Sequence, residues 1–157
     1  MSPNIIAGIT AVTLQISSPS FKDNDFIPLK FTCEGESISP ALQVKNIPAN
    51  TKTLAIIVDD PDAPNGPFVH WVVWNMPPAE TIPEKTVAGT MGKNGRGAKG
   101  YTGPCPPTGV HHYHFNVYAL DTNLDLPEGA GKEELKNAMK GHILGSGELI
   151  GLYKKLK

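Results

Sequence analysis

Apolar and polar residues alternate over several short stretches of this chain, and one further stretch follows the spacing of a helix. Val12–Ser17 alternates with period two, and Val110–Leu120 is rich in aromatic and β-branched residues, which is typical of β-strands. Within Lys132–Lys140, Leu135 and Met139 lie four residues apart, as on the apolar face of a helix. Many short strands and one helix predict a mainly β, β-sandwich-like fold with one or two short helices. Further strands are predicted over Phe26–Cys33, Ser39–Val44 and Ile143–Tyr153, and from Leu54 and Phe68 onward.

The most apolar of these strands leads directly into a cluster of carboxylates. Leu54–Val58 reads Leu-Ala-Ile-Ile-Val, which predicts a strand buried on both faces. Asp59, Asp60 and Asp62 follow, and neighbouring prolines end the strand and stiffen the turn. The next strand carries His70. Polar groups at the ends of buried strands are costly to desolvate unless they meet each other or a ligand, so the alternatives are a polar turn and a binding site.

A second cluster opens the strand near residue 110. The Gly/Pro-rich segment Gly100–Gly109 precedes it, and backbone N–H groups in such a loop can approach a ligand closely and form an anion-binding concavity. Alternation sends His111 and Tyr113 to one face of the strand and His112 and His114 to the other. The two clusters together predict a small-anion site with donors from His70, His111, Tyr113 and the loop backbone.

The segment between the two clusters, Pro77–Thr108, shows little clear periodicity. Loops longer than about 12–15 residues are usually functional or disordered. Because prolines and aromatic residues lie at both ends, we predict an ordered loop that flanks the ligand.

Size and charge restrict the class of protein. A chain of 157 residues predicts a single domain over 1–157. The net charge of −1 gives no support to a nucleic-acid or anionic-membrane surface, and no apolar run approaches the ~20 residues of a membrane span, so no stable membrane association is expected. Met1–Thr13 lacks the basic region of a secretory signal, and a cytoplasmic location is predicted.

Cysteine and histidine spacing leaves several possibilities open. Cys33 and Cys105 lie far apart without a Cys-x-x-Cys motif, which favours two reduced thiols, although a single bridge is also possible. His112 and His114 have a spacing that would bind zinc with a third ligand, but two solvated histidines are the commoner outcome. Cys105 near His111 is a candidate nucleophile, yet its flanking prolines favour a structural role. We therefore predict no metal, no cofactor and no catalytic residue.

The two clusters, in this order, resemble the signature regions of the phosphatidylethanolamine-binding proteins, and in particular their bacterial and archaeal Raf kinase inhibitor-like branch. The resemblance extends over nearly the whole chain and implies two antiparallel sheets with a small anion pocket at one end. His112 stands where the family commonly has arginine. The pocket implied by the resemblance takes phosphate, acetate-like anions or phosphoethanolamine headgroups, and is lined by Asp60, His70, Gly103, Pro104, His111 and Tyr113. The motifs that carry the resemblance are Asp60-Pro61-Asp62-Ala63-Pro64, His70-Trp71, Gly103-Pro104-x-Pro106-Pro107 and Gly109-x-His111-x-Tyr113.

These features predict a binding protein for a small anion or a phosphorylated headgroup, with a regulatory or inhibitory role and no enzymatic activity. One alternative is a protein-interaction inhibitor of a kinase or protease, which would contact its partner through the loop Gly89–Gly103. The other is an enzyme that uses Asp/His acid–base chemistry or a histidine-bound metal. The sequence leaves the physiological ligand and the oligomeric state open.

Asp60 introduces an electrostatic conflict into such a site. Two unit charges about 4 Å apart interact by roughly 4 kcal/mol at an effective dielectric near 20, so an ionised Asp60 would repel a bound phosphate. A protonated His70 or His111 would offset this repulsion, as would the ammonium group of a zwitterionic ligand. Protonated imidazoles predict tighter phosphate binding at pH 5.5 than at pH 8.

Overall fold

The computed structural model describes residues 11–156. In this part of the chain the strands pair into two sheets. The prediction about a secretory signal rests mainly on residues 1–10, which lie outside this range. The helices are α1 (Lys132–Met139) and a 3₁₀ turn at Leu29–Phe31. In chain order the strands are β1 Val12–Thr13, β2 Gln15–Ser17, β3 Asp25–Phe26, β4 Leu42–Lys45, β5 Thr53–Asp60, β6 Phe68–Met76, β7 Thr81–Ile82, β8 Thr90–Met91, β9 His111–Leu120 and β10 Ile143–Tyr153.

The larger sheet has the strand order β1-β10-β9-β5-β6-β8, with β3 also paired to β10. The smaller sheet has the order β2-β4-β7. Pairing is antiparallel throughout these sheets, except that the two-residue strands β1 and β3 run parallel to β10. The two-sheet, mainly β fold with one short α-helix confirms the predicted fold class.

The larger sheet buries apolar side chains on both of its faces. One face packs against the smaller sheet, through side chains such as Ile56, Trp71 and Phe115. The other face is covered by α1, whose Leu135 and Met139 are buried against the sheet. Leu54–Val58 in β5 is buried throughout, because this central strand contributes to both layers, and its predicted burial on both faces is confirmed.

The strand predicted over Phe26–Cys33 is wrong for most of its length. Only Asp25–Phe26 pairs with β10. Pro28 has no N–H to donate to a ladder, and the chain instead closes i→i+3 bonds from the Phe31 N–H to the Pro28 carbonyl (3.1 Å) and from the Thr32 N–H to the Leu29 carbonyl (3.0 Å). The apolar content of this segment therefore buries Phe31 in a 3₁₀ turn rather than in a strand.

The strand predicted over Val12–Ser17 exists but divides at Leu14. Val12–Thr13 pairs with β10 of the larger sheet, whereas Gln15–Ser17 pairs with β4 of the smaller one. Leu14 is buried at the corner, where its N–H donates to the Ser146 carbonyl. One alternating stretch thus serves both layers.

The predicted helix is confirmed with nearly the same ends. The Gly131 backbone N–H donates to the Glu134 carboxylate (2.8 Å) at the start of α1, and Gly141 adopts φ +81° just beyond its end, a conformation that glycine accepts without strain. Within residues 11–156, neither this helix nor any other is long and apolar enough to cross a membrane.

Candidate anion pocket

A cavity of about 510 Å³ opens at one end of the larger sheet. β5 ends there at Asp60, β6 begins there at Phe68, and β9 begins there at His111. Its walls combine side chains from these three strands with three loop segments, at residues 63–67, 95–96 and 105–107. Of the six site residues predicted from the sequence, the cavity lining brings together Asp60, His70, His111 and Tyr113.

Asp60, at the end of β5, orients the ring of His111. Asp60 is 3% exposed, and one of its carboxylate oxygens accepts a bond from the Asp62 backbone N–H (2.8 Å). The other oxygen lies 2.6 Å from Nδ1 of His111. With Asp60 ionised, Nδ1 carries the proton and Nε2 is the ring atom left for a ligand. Both Asp60 oxygens are therefore engaged inside the protein.

His70 is fixed by a backbone carbonyl rather than by a carboxylate. Its Nδ1 lies 2.7 Å from the Thr102 carbonyl oxygen, which can only accept, so Nδ1 carries the proton. Burial lowers the pKa of His70, and the charge of Arg96 lowers it further, while the Thr102 carbonyl and Asp60 act in the opposite direction. A neutral ring held in this way presents Nε2 as an acceptor, whereas the sequence predicted a donor.

A β-bulge directs His70 into the cavity. Val58 pairs with Trp71 but the next residue, Asp59, pairs with Val69, so His70 is an extra residue on β6. Such a bulge redirects side chains locally. His70 and Trp71 consequently lie on the same side of the sheet although they are adjacent, His70 in the cavity and Trp71 in the inter-sheet core.

Tyr113 supplies a buried hydroxyl. Its side chain is fully buried, and the edge of its ring meets His70 at 5.2 Å between centroids. Burial raises the pKa of Tyr113, as do the charges of Asp60 and Asp62, while the Cys105 backbone acts weakly in the opposite direction. The hydroxyl therefore keeps its proton. Within residues 11–156 this hydroxyl completes no hydrogen bond of ordinary geometry, and it is available to donate to a ligand oxygen.

Gly103 and Pro104 are buried and are not among the residues that line the cavity. The Gly103 N–H donates to the Ser37 hydroxyl (2.9 Å), and the Pro104 carbonyl accepts from the Cys33 N–H (3.0 Å). A Cβ on Gly103 would lie 2.7 Å from the Phe31 carbonyl oxygen, so the loop passes too close to this backbone for any other residue. These two residues position the loop that reaches the cavity at Cys105–Pro107.

The expectation of two reduced thiols is wrong, since Cys33 and Cys105 form a disulfide with their Cα atoms 5.4 Å apart. The pairing depends on the 3₁₀ turn and the Gly/Pro loop lying side by side, which spacing along the chain does not reveal. Cys105 also lines the cavity. The bridge therefore ties one cavity wall to the body of the protein, and Cys105 has no thiol to act as a nucleophile.

Sequence reasoning missed several lining residues, of which Arg96 and Phe68 have the clearest chemistry. Arg96 comes from the long loop predicted to flank the ligand, and its Nε donates to the Thr102 hydroxyl (3.0 Å). The edge of Phe68 packs against His70 at 4.9 Å between centroids. A signal for Arg96 was present, because it is the only arginine in the chain and stands in a glycine-rich tract.

The neighbouring polar residues face away from the cavity. On β9, His112 pairs with Asp62 (2.7 Å) and His114 with Glu148 (2.9 Å), both on the outer side. The predicted alternation of β9 is thus confirmed. Asp59 points to α1, where the Lys132 ammonium lies 2.6 Å from it. Among residues 11–156, no three His, Cys, Asp or Glu side chains are grouped closely enough to hold a metal ion.

Comparison with known proteins identifies relatives over nearly the whole chain. The family model of the phosphatidylethanolamine-binding proteins matches residues 17–154. A UPF0098 protein of Pyrococcus horikoshii is 50% identical, over 94% of this chain and 80% of that protein. The crystal structure of a putative phosphatidylethanolamine-binding protein homologue from Chlamydia trachomatis, at 39% identity, covers 92% of this chain and 99% of its own with a TM-score of 0.88. The crystal structure of Escherichia coli YbcL, described as a member of the mammalian PEBP family, is 27% identical and also covers 92% of this chain and 99% of its own, with a TM-score of 0.83.

These matches agree with the two-sheet fold and span both clusters of polar residues. The chain therefore belongs to the phosphatidylethanolamine-binding protein family, in its bacterial and archaeal branch.

Proposed function

We propose that this protein is a binding module for phosphate or for a small phosphorylated headgroup, which it holds in the cavity between β5, β6 and β9. The observation that carries the proposal is the buried Tyr113 hydroxyl, which completes no hydrogen bond of ordinary geometry within the described chain and faces the same cavity as His111. A buried donor without a partner costs stability, and a ligand oxygen would satisfy it. Asp60 has no such need, because both of its oxygens are engaged.

The lining supports binding rather than covalent catalysis. Among the described lining residues there is no serine or threonine to be activated by a base, Cys105 is bridged, and both oxygens of Asp60 are engaged by the protein. A pocket with oriented polar groups and no activated serine, threonine or cysteine suits a regulatory module that responds to the level of its ligand.

Two paired tyrosine variants test the proposal. Tyr113→Phe removes a hydroxyl that completes no hydrogen bond of ordinary geometry within the described chain, so the free energy of unfolding should change by less than about 1 kcal/mol. Phosphate affinity should fall at least about tenfold, since hydrogen bonds to charged groups are worth about 1.5–3 kcal/mol. Calorimetric titration with inorganic phosphate, together with chemical denaturation, measures both quantities.

Tyr101→Phe is the matched control. The Tyr101 hydroxyl donates to the Phe31 carbonyl (2.7 Å) outside the cavity. Its loss should lower the free energy of unfolding by about 1 kcal/mol and leave phosphate affinity within about twofold. Wild-type protein that binds no phosphate, or equal affinities in wild type and Tyr113→Phe, would contradict the proposal.

The cytoplasmic location stays a prediction. Structural disulfides persist mainly in oxidising compartments, with the intracellular proteins of hyperthermophiles as an exception. Cell fractionation combined with thiol trapping of Cys33 and Cys105 tests both the location and the state of the bridge there.

A further inference from the structure

Among the described residues that line the cavity, Arg96 is the one permanently positive side chain. Its charge is uncompensated by the fold, because none of the ion pairs formed within residues 11–156 includes it. The one carboxyl group among the described lining residues, Asp60, is already bonded to His111 and to a backbone amide. Among the described lining residues, a ligand entering the cavity therefore meets the guanidinium of Arg96, which has no ion-pair partner, and the carboxyl group of Asp60, which already has two hydrogen-bond partners.

The loop around Arg96 is held by a buried asparagine. Asn94 is 5% exposed; its side-chain oxygen accepts from the Arg96 backbone N–H (2.9 Å), and its amide donates to the Gly100 carbonyl (2.8 Å). Next to it, Gly95 lies so close to Phe68 that a Cβ would be 2.7 Å from the ring. These contacts fix the backbone from which Arg96 projects.

The side chain of Arg96 is anchored on the same residue as His70. Its Nε donates to the Thr102 hydroxyl, while the Thr102 carbonyl accepts from His70 Nδ1. This leaves the two terminal amino groups of Arg96 without a partner inside the described chain. Arg96 is an exposed residue and Tyr113 is fully buried, so Arg96 lies at the mouth of the cavity and Tyr113 at its floor.

We propose that Arg96 makes this pocket selective for phosphorylated ligands that carry a second negative group, in preference to zwitterionic ligands such as phosphoethanolamine. This inference rests on the proposed function, because it takes the phosphate to lie near Tyr113 and His111. The second group of a short ligand then extends toward the mouth. A carboxylate there matches the planar fork of the guanidinium, whereas an ammonium is repelled by it.

Two ligands of nearly equal size separate these cases. Phosphoglycolate and phosphoethanolamine share a phosphate ester and a two-carbon chain, and differ in ending with a carboxylate or an ammonium. At pH 7.5 we expect wild-type protein to bind phosphoglycolate up to about fivefold more tightly, the upper end of the effect of one favourable exposed ion pair. Arg96→Gln should bring the ratio of the two affinities close to one, and Arg96→Lys should retain part of it.

Lys99→Gln is the matched control. It removes the same charge from the same loop, but Lys99 pairs with Glu128 outside the cavity, so the ratio should stay at its wild-type value. Equal affinities for the two ligands in wild type, or a ratio unchanged by Arg96→Gln, would overturn the role of Arg96 and leave phosphate binding intact. Failure of wild-type protein to bind either ligand or inorganic phosphate would instead remove the proposed function.

Discussion

At the scale of single residues, each of the two histidines in the pocket is held by a hydrogen bond at Nδ1. Asp60 holds Nδ1 of His111 and the Thr102 carbonyl holds Nδ1 of His70, so both rings turn Nε2 away from their protein partners. The lowered pKa of His70 keeps that ring neutral. Of the two imidazoles considered for offsetting the Asp60 charge, His70 is therefore poorly suited. Arg96, which also lines the cavity, is a further source of positive charge.

The buried, neutral His70 predicts a loss of stability in mild acid. Its folded pKa lies below the ordinary value of 6.5, so the unfolded state binds more protons and the free energy of unfolding falls as the pH drops below about 6.5. His70→Asn retains a donor for the Thr102 carbonyl and cannot titrate. Between pH 7.5 and 5, we expect a smaller loss of unfolding free energy in this variant than in wild type, measured by chemical denaturation.

His142→Asn serves as the control for this prediction. His142 is half exposed beside Asp121, away from the cavity, and its replacement should leave the acid-induced loss largely in place. A loss as steep in His70→Asn as in wild type would show that other groups cause the pH dependence.

At the scale of elements, β9 separates two sets of imidazoles by alternation alone. His111 and Tyr113 lie in the cavity, while His112 and His114 pair with carboxylates on the opposite face. The end of β5 does the same with its carboxylates, since Asp59 faces Lys132 of α1 and Asp60 faces the cavity. Polar residues that are neighbours in the sequence thus separate into two groups, one that lines the cavity and one that forms ion pairs on the opposite face of the sheet.

The face assignment of β9 predicts that the outer histidines are dispensable for binding. Replacing both His112 and His114 with alanine should change phosphate affinity less than about twofold, because neither side chain lines the cavity. His111→Gln, on the inner face, should lower it about tenfold through the loss of one oriented ring nitrogen. Calorimetric titration compares them, and a tenfold loss in the double variant would mean that the outer face contributes to the site.

At the scale of the whole molecule, the disulfide connects the cavity wall to the 3₁₀ turn. The bridge closes a loop with a sequence separation of 72 residues, which in the chain-entropy model stabilises the fold by up to about 4 kcal/mol. It also holds the backbone that leads into His111 and Tyr113. Stability and pocket geometry are coupled through this one bond.

Removal of the bridge should therefore lower both stability and affinity. We expect Cys33→Ser/Cys105→Ser to lose up to about 4 kcal/mol of unfolding free energy and to bind phosphate more weakly than wild type. Reducing agent should lower the unfolding midpoint of wild type and leave that of the double variant unchanged. A wild-type midpoint insensitive to complete reduction would contradict the stabilising role of the bridge.

The pattern of residues along the chain determined much of the architecture. Period-two alternation and the apolar run Leu54–Val58 were sufficient to predict the main strands, because burial on a pleated sheet selects those patterns. The same alternation assigned His111 and Tyr113 to one face. The short helix followed from two apolar residues four positions apart, Leu135 and Met139, in a segment bounded by a glycine at each end.

Only the tertiary structure decided how these parts meet. The bulge that turns His70 into the cavity depends on its register against β5, and register is a property of strand pairs rather than of one strand. The Cys33–Cys105 bridge joins two segments that are distant in sequence and adjacent in space. The position of Arg96 likewise depends on the packing of its loop at Gly95 against Phe68 of β6. Gly103 and Pro104 carry a strong sequence signal, yet they contact Ser37 and Cys33 and do not line the cavity. They shape the loop whose next residues, Cys105–Pro107, reach the cavity.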